Sequence, residues 1–275
     1  MIGSFPITNT MVNAWIAVVF FVIVAAIASR RKGLVPKGIH NIFEAVVEFL
    51  LTESQKVTGD RKRAVAFLPI VGTTFLFVLF SNWIGQIPGT GSIGFYQLKD
   101  GVQELVPIFR PATSDLNMTL AIAAFAVISS HLFGLMKLGP VNHLSKFLNF
   151  KGIILSIPKG PMAFVVAVIE FGVGLIEIVS ELAKVLSLSL RLFGNIFAGE
   201  VLMTVIMGIF AFFLPLPFVF LELLVGVIQA TVFAMLTLAY LTVATEAHAT
   251  EHDAHAEEER EKLDPGDVAL EPIHS

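Results

Sequence analysis

Apolar residues in this chain come in long runs rather than in alternation. Met11 to Ser29, Val65 to Ile84, Leu116 to Lys137, Met162 to Phe213 and Phe218 to Val243 each supply the ~20 residues that carry an α-helix across a hydrocarbon core. They are apolar on every side, whereas a membrane barrel would show short segments of alternating polarity. The pattern predicts an all-α polytopic membrane protein. One segment departs from it: between Ile39 and Lys56, Glu44, Glu48 and Glu53 interrupt Ile42, Phe43, Val46, Val47, Phe49 and Leu50 at helical spacing. That is an amphipathic helix lying on the membrane face without crossing, followed by a basic turn at Arg61, Lys62 and Arg63. The Gly- and Pro-bearing stretch from Gly85 to Pro111 is expected to be a loop.

Length refines the fourth run. It stays apolar for about fifty residues, and a helix of that length is roughly 75 Å long, against a hydrocarbon core ~30 Å thick. It is therefore either two spans with a hidden turn or one strongly tilted helix. No strong loop signal lies between Glu170 and Gly208, while Pro215 and Pro217 make a clear break before the last run. A single tilted helix is favoured, forming a hairpin (162–213 and 218–245) with the run that follows, for about five crossings in all.

Charge then orients the spans. Arg30 to Lys32, Arg61 to Arg63, and Lys137, Lys146, Lys151 and Lys159 fall on one side, against Lys99 and Arg110 on the other. The side rich in Lys and Arg is the cytoplasmic one, so the N-terminus is expected outside and the C-terminus in the cytoplasm; two spans in the fourth run would put the tail outside instead. No basic region precedes the first run, so Met1 to Ser29 reads as a retained span rather than a cleaved signal.

Composition agrees: of 275 residues, 55% are hydrophobic and 15% charged, with mean hydropathy +0.81. The net charge of -4 comes from the last thirty residues, crowded with Glu, Asp and His. Residues 1–245 therefore read as a membrane domain and 246–275 as an acidic, His-containing, disordered tail. His248, His252 and His255 among those acids are a conceivable divalent-metal set, although a solvated tail is the plainer account, and no metal site is assigned. With no cysteine there is no disulfide framework or thiolate site. No Gly-rich phosphate loop is present, and neither His-Glu-x-x-His nor Gly-x-Ser-x-Gly occurs, so no cofactor is expected and an intramembrane hydrolase has no support.

The chemistry lies in the fourth run. Arg191 places a guanidinium at bilayer depth, which costs roughly 2.5 to 3.5 kcal/mol on insertion scales and calls for a cavity or an anionic partner. At about 100° per residue, Glu170, Glu177, Ser180, Glu181, Lys184, Ser187, Arg191 and Asn195 fall within an arc roughly 120° wide, and Glu200 lies about 180° away. In the last run Glu222, Gln229 and Tyr240 share one face. The expected topology puts Glu200 and Glu222 in the outer half of the membrane and Glu170, Glu177 and Glu181 in the inner half, with Arg191 between. The serines admit a plainer account, bonding back to carbonyls of their own helix, and Gly194 and Gly199 admit one as close-packing positions. Lys184 admits pairing with Glu181 or Glu177.

Carboxylates relay protons when burial and neighbours bring them toward neutrality; an arginine, charged at all ordinary pH, does not. Arg191 would break a proton wire between the two acidic half-paths while attracting a carboxylate presented by another protein. The arrangement suits a moving carrier that loads from one half-path and discharges into the other.

Ser189-Leu190-Arg191-Leu192-Phe193-Gly194-Asn195, continued by Ala198-Gly199-Glu200, resembles subunit a of the membrane sector of F-type ATP synthases. Asn82 with Gly85 and Pro88, the run Pro111-x-Thr113-x-Asp115-x-Asn117, and Gln229 with Tyr240 add to the resemblance, which covers the chain up to the acidic tail. It implies that Arg191 faces the carboxylate of a rotating ring of c subunits. It further implies that Asn195, Glu200, Glu222 and Gln229 line the outer half-channel, and that Glu177, with Ser180 and Ser187 nearby, lies along the cytoplasmic one. Lys184 and Tyr240 join the expected proton-translocation set. Some members carry a histidine opposite the acid, whereas here two acids, Glu200 and Glu222, face that path and are expected to titrate as a pair.

The expected function is thus the stator of a rotary ATP synthase, with no catalytic site of its own, coupling proton flow to ring rotation. Its expected partners are the c-ring, the b subunits of the peripheral stalk (packed on the segment near Glu44) and the lipid bilayer, with no nucleic acid. Its expected location is the bacterial plasma (inner) membrane. The alternative is a stand-alone proton or cation carrier, which should conduct when purified alone, as a stator should not.

Overall fold

The structure is a computed structural model that describes residues 8–29, 38–86, 94–99, 102–107, 110–139, 161–210 and 213–246. Its helices are α1 (Asn9–Ser29), α2 (Ile39–Thr58), α3 (Arg61–Ile84), α4 (Leu116–Leu138), α5 (Pro161–Ile209) and α6 (Pro215–Thr245). The acidic tail beyond Glu246 with its His248, His252 and His255, Arg30 to Lys32, Pro88, and Lys146, Lys151 and Lys159 lie outside the described residues.

The helices follow the apolar runs, and their ends follow local chemistry. Gly59, at φ 66°, ends α2 in the left-handed conformation that glycine adopts without penalty. Asp60 follows, and its side chain accepts from the Lys62 backbone N–H at 2.9 Å, capping α3. Arg61 to Arg63, expected as a turn, are consequently the first turn of α3. The break expected at Pro215 and Pro217 falls between Ile209 and Pro215, and both prolines lie in the first turn of α6, where a proline's missing N–H costs nothing.

Among the described residues, four helical stretches are long and apolar enough to cross a membrane: Asn9–Ile27, Arg61–Ile84, Leu116–Leu138 and Pro215–Thr245. The fifth long helix, α5, runs unbroken for 49 residues, or about 74 Å at 1.5 Å per residue. This removes the two-span alternative; a helix more than twice the core thickness must run obliquely. The protein is an all-α polytopic membrane protein.

The Gly85 to Pro111 loop carries one correction. Within it, β1 (Gly94–Lys99) and β2 (Val102–Pro107) pair antiparallel, with Lys99 opposite Val102 and Gly94 opposite Pro107. Asp100-Gly101 between them is a strong hairpin dipeptide.

The bundle is organised on α6, which packs against α2, α3, α4 and α5. Phe233, Leu238 and Leu241 of α6 meet Val71, Phe75 and Val78 of α3, Ala123 and Ala126 of α4, Leu188 and Leu192 of α5 and Leu50 of α2. Helix α2 lays Val46 and Leu50 on the bundle while Glu44 and Glu48 stay exposed, as its amphipathic pattern requires. Only 22 to 39% of each of the four spans is buried within the chain, so most of their apolar surface is left for lipid or other subunits.

A short 3-10 turn (Ala112–Ser114) ties the ends of α1, α3 and α4 together. Thr113 Oγ1 donates to Asn82 Oδ1 at 2.8 Å, and Gly85 lies so close to the Pro111 ring that a Cβ would overlap it. Asp115 caps α4 by accepting from the Asn117 N–H at 2.9 Å and takes a second bond from Thr10 Oγ1 at 3.2 Å. Asn13 Nδ2 donates to the Arg110 carbonyl. Asn82, Gly85, Pro111, Thr113 and Asp115 therefore form a joint that fixes where Arg110 emerges.

Candidate functional site: two charged clusters and a bare arginine

Around Arg191 the buried apolar residues of α5 are Leu188, Leu192 and Ile196, a stripe recurring every four residues. Arg191 lies about 100° off that stripe and is exposed, with Ser187, Leu190, Gly194 and Phe197 beside it on the uncovered face. Among the described residues no hydrogen bond or ion pair reaches the Arg191 side chain. Glu177, Ser180, Glu181, Lys184 and Asn195 are half-buried along the border between covered and uncovered faces. The polar seam thus straddles the edge of the packed surface: its Glu181 side turns inward and its Arg191 side outward. The side chain of Glu170 lies outside the described set.

One cluster forms on the C-terminal side of Arg191. Arg110 Nη2 donates to Glu200 Oε2 at 3.0 Å, and Arg110 Nε to Oε1 at 3.5 Å. Glu222 of α6 is the next acid, with Glu200 as its charged neighbour and Gln86 as its polar one; both its carboxylate oxygens are covered from solvent. Gly199 makes the space. A Cβ there would come within 2.8 Å of Glu222 Cδ and 3.3 Å of its Cγ, so the glycine is a seat for the carboxylate more than a helix-packing device. No such contact exists at Gly194. Gln229, two turns along α6 from Glu222, is buried. On the same helix, Trp83 Nε1 of α3 donates to the Leu223 carbonyl at 3.0 Å, and its indole lies 3.3 Å from a Cβ built at Gly226.

A second cluster forms on the N-terminal side. Glu181 accepts from Lys184 Nζ at 2.7 Å through one oxygen and lies 3.2 Å from His131 Nε2 of α4 through the other. Lys184 Nζ stands 5.5 Å from the centroid of the Tyr240 ring of α6, a cation–π distance. Lys184 pairs with Glu181, not Glu177. Glu181 and Glu200 are nineteen residues apart, about 28 Å along the helix, with Arg191 near the midpoint. Between them Ser189 Oγ shares a bond with Thr119 Oγ1 of α4 at 3.1 Å, so this serine ties two helices rather than bonding back to its own.

Three members of these clusters were not singled out by the polar spacing on α5 and α6. Gln86 lies in the turn just beyond α3, and Arg110 entered only as a loop charge. His131 is an ionisable group inside an apolar helix, the same signal that marks Arg191.

The fold and the site thus define an integral membrane protein with two acids at a helix contact and a bare guanidinium at mid-helix. The chain belongs to the family of ATP synthase A chains, whose match runs over residues 11–242. It is 32% identical over 247 residues to the ATP synthase subunit a of Moorella thermoacetica, covering 90% of this chain and 95% of that one. To the subunit a of Gloeobacter violaceus it is 33% identical over 244 residues, covering 89% and 86%. The Campylobacter jejuni subunit a (strain RM1221) is 35% identical over 230 residues, covering 82% and 87%.

Proposed function

We propose that this chain is the stator of the proton-driven rotary motor in an ATP synthase membrane sector. The observation that carries the reading is the bare Arg191 on the uncovered apolar face of α5, between two acid-bearing clusters. Glu200 and Glu222, with Asn195 and Gln229, line the half-path open to the outer face. Glu177, Ser180, Ser187, Lys184 and Tyr240 line the cytoplasmic half-path. A ring of c subunits rolls against the uncovered face, its carboxylate meeting Arg191 once per step. Because the guanidinium holds its protons, it blocks direct passage and releases each carboxylate only as the next arrives. Each proton moving down the gradient yields about 2.3 kcal/mol per 100 mV, and the block makes that yield conditional on rotation.

In this reading the N-terminus is outside, the acidic tail after residue 245 is cytoplasmic, and the exposed Ile42, Val47 and Phe49 of α2 meet the b subunits of the peripheral stalk. The test is ATP-driven acidification of vesicles carrying the whole complex. Arg191→Ala is expected to abolish pumping while Leu190→Ala pumps and both complexes assemble; normal pumping by Arg191→Ala would overturn the reading.

A further inference from the structure

We propose that His131 is the proton-holding group of the half-path on the Glu181 side. The proposal rests on the stator reading above and adds a residue and a role that the seam on α5 does not contain.

Four residues from three helices meet there. His131 comes from α4, Glu181 and Lys184 from α5, and Tyr240 from α6. Glu181 divides its two oxygens between them, Oε1 to Lys184 Nζ at 2.7 Å and Oε2 to His131 Nε2 at 3.2 Å. Among the described residues Glu181 is the charged group against His131, Lys184 and Tyr240 join it through Glu181 and Lys184, and Glu177 lies one turn further along α5. Of the set, the imidazole is the one whose ordinary titration range spans neutral pH. It is also partly reachable: its side chain is 26% exposed against 17% for Glu181.

An ammonium and a carboxylate fixed together leave one oxygen of Glu181 as a seat for a second cation. A proton arriving on His131 converts it to an imidazolium whose Nε2–H points at Glu181 Oε2; passing the proton on restores the neutral ring. Only the proton moves, and no other bond changes. The site can hold a proton about 15 Å along α5 from Arg191, on the side opposite Glu200, without breaking the Glu181–Lys184 pair. A simple three-helix clamp would use the same contacts, so the test must separate the two.

The experiment uses the whole complex in vesicles and measures ATP-driven proton pumping as a function of pH on the side where ATP is hydrolysed. His131→Gln keeps a side-chain N–H to donate to Glu181 but cannot hold a proton. If His131 relays protons, His131→Gln pumps several-fold more slowly, and the pH profile loses an inflection near neutrality while the complex assembles. His131→Lys, a cation that does not release its proton near neutral pH, is then at least as impaired. If His131→Gln pumps at the native rate with an unchanged profile, the relay is refuted and the cluster is a clamp. An Arg191→Ala complex measured alongside isolates the parent reading: normal pumping there sinks the stator mechanism, whereas a dead Arg191→Ala with a native-like His131→Gln sinks only the relay.

Discussion

The two charged clusters of α5 solve one problem in different ways. At the Glu200 end the cation is Arg110, delivered from a connecting segment by the joint of Asn13, Asn82, Gly85 and Thr113. At the Glu181 end every member stands on a long helix, and one of the two groups on the Glu181 carboxylate is an imidazole. A guanidinium stays charged throughout the physiological range, and an imidazole does not. The first cluster therefore sets a fixed counter-charge beside a covered acid, Glu222; the second sets an imidazole against an acid already paired with an ammonium. In the proposed mechanism the two clusters belong to different half-paths, and the chain separates them by about 28 Å of helix.

The largest effect that would break this comparison is expected at Glu222. Glu222→Leu removes the covered carboxylate, and pumping is expected to fall by at least an order of magnitude with the complex intact, a size typical of losing a positioned proton-transfer group; retained pumping would show that Glu200 alone serves that end. Gly199→Ala should come next. The added methyl group falls on the carboxylate of Glu222, a mobile group that can swing away, so the variant should fold and assemble yet pump several-fold more slowly. Gly208→Ala, where nothing lies within 4 Å, is the matched change expected to leave pumping unaltered. A smaller effect is expected from Arg110→Ala: its side chain is 48% exposed, so the pair contributes under about 1 kcal/mol to stability, and a two- to threefold slowing that raised salt reproduces in the native complex is the expected signature. Smallest is Thr119→Val, which removes the bond to Ser189 between α4 and α5. A loss of about 1 kcal/mol should appear as a slightly lower thermal midpoint of the detergent-solubilised complex, with pumping unchanged.

Much of this was legible in the chain because lipid imposes simple rules. Apolar runs of spanning length located the helices, and the absence of a loop signal from Glu170 to Gly208 anticipated the unbroken α5. Helix starts were less legible, since a single cap at Asp60 or a proline at Pro215 shifts them by several residues. The β1–β2 hairpin escaped because two six-residue strands carry little periodicity, although Asp100-Gly101 was available as a sign. Within the site, helical spacing placed the polar residues of α5 on one seam, but spacing within one helix does not say which neighbour covers which edge. Packing against α4 and α6 splits that seam, sending Glu181 to His131 and leaving Arg191 bare. Contacts such as Arg110 with Glu200 and His131 with Glu181 join residues ninety and fifty positions apart, which periodicity cannot reveal.

The central claim is that the face of α5 bearing Arg191 is the one a c-ring covers, and the absence of cysteine in the chain makes that directly measurable. Single cysteines placed at Ser187 and Gly194, exposed beside Arg191, and at Val22 of α1, 62% exposed, would each carry a thiol-linked photo-crosslinker in the assembled complex. Covalent capture of the ring subunit from Ser187→Cys and Gly194→Cys, with none from Val22→Cys, is the predicted result. Capture of lipid alone from all three positions would contradict the account.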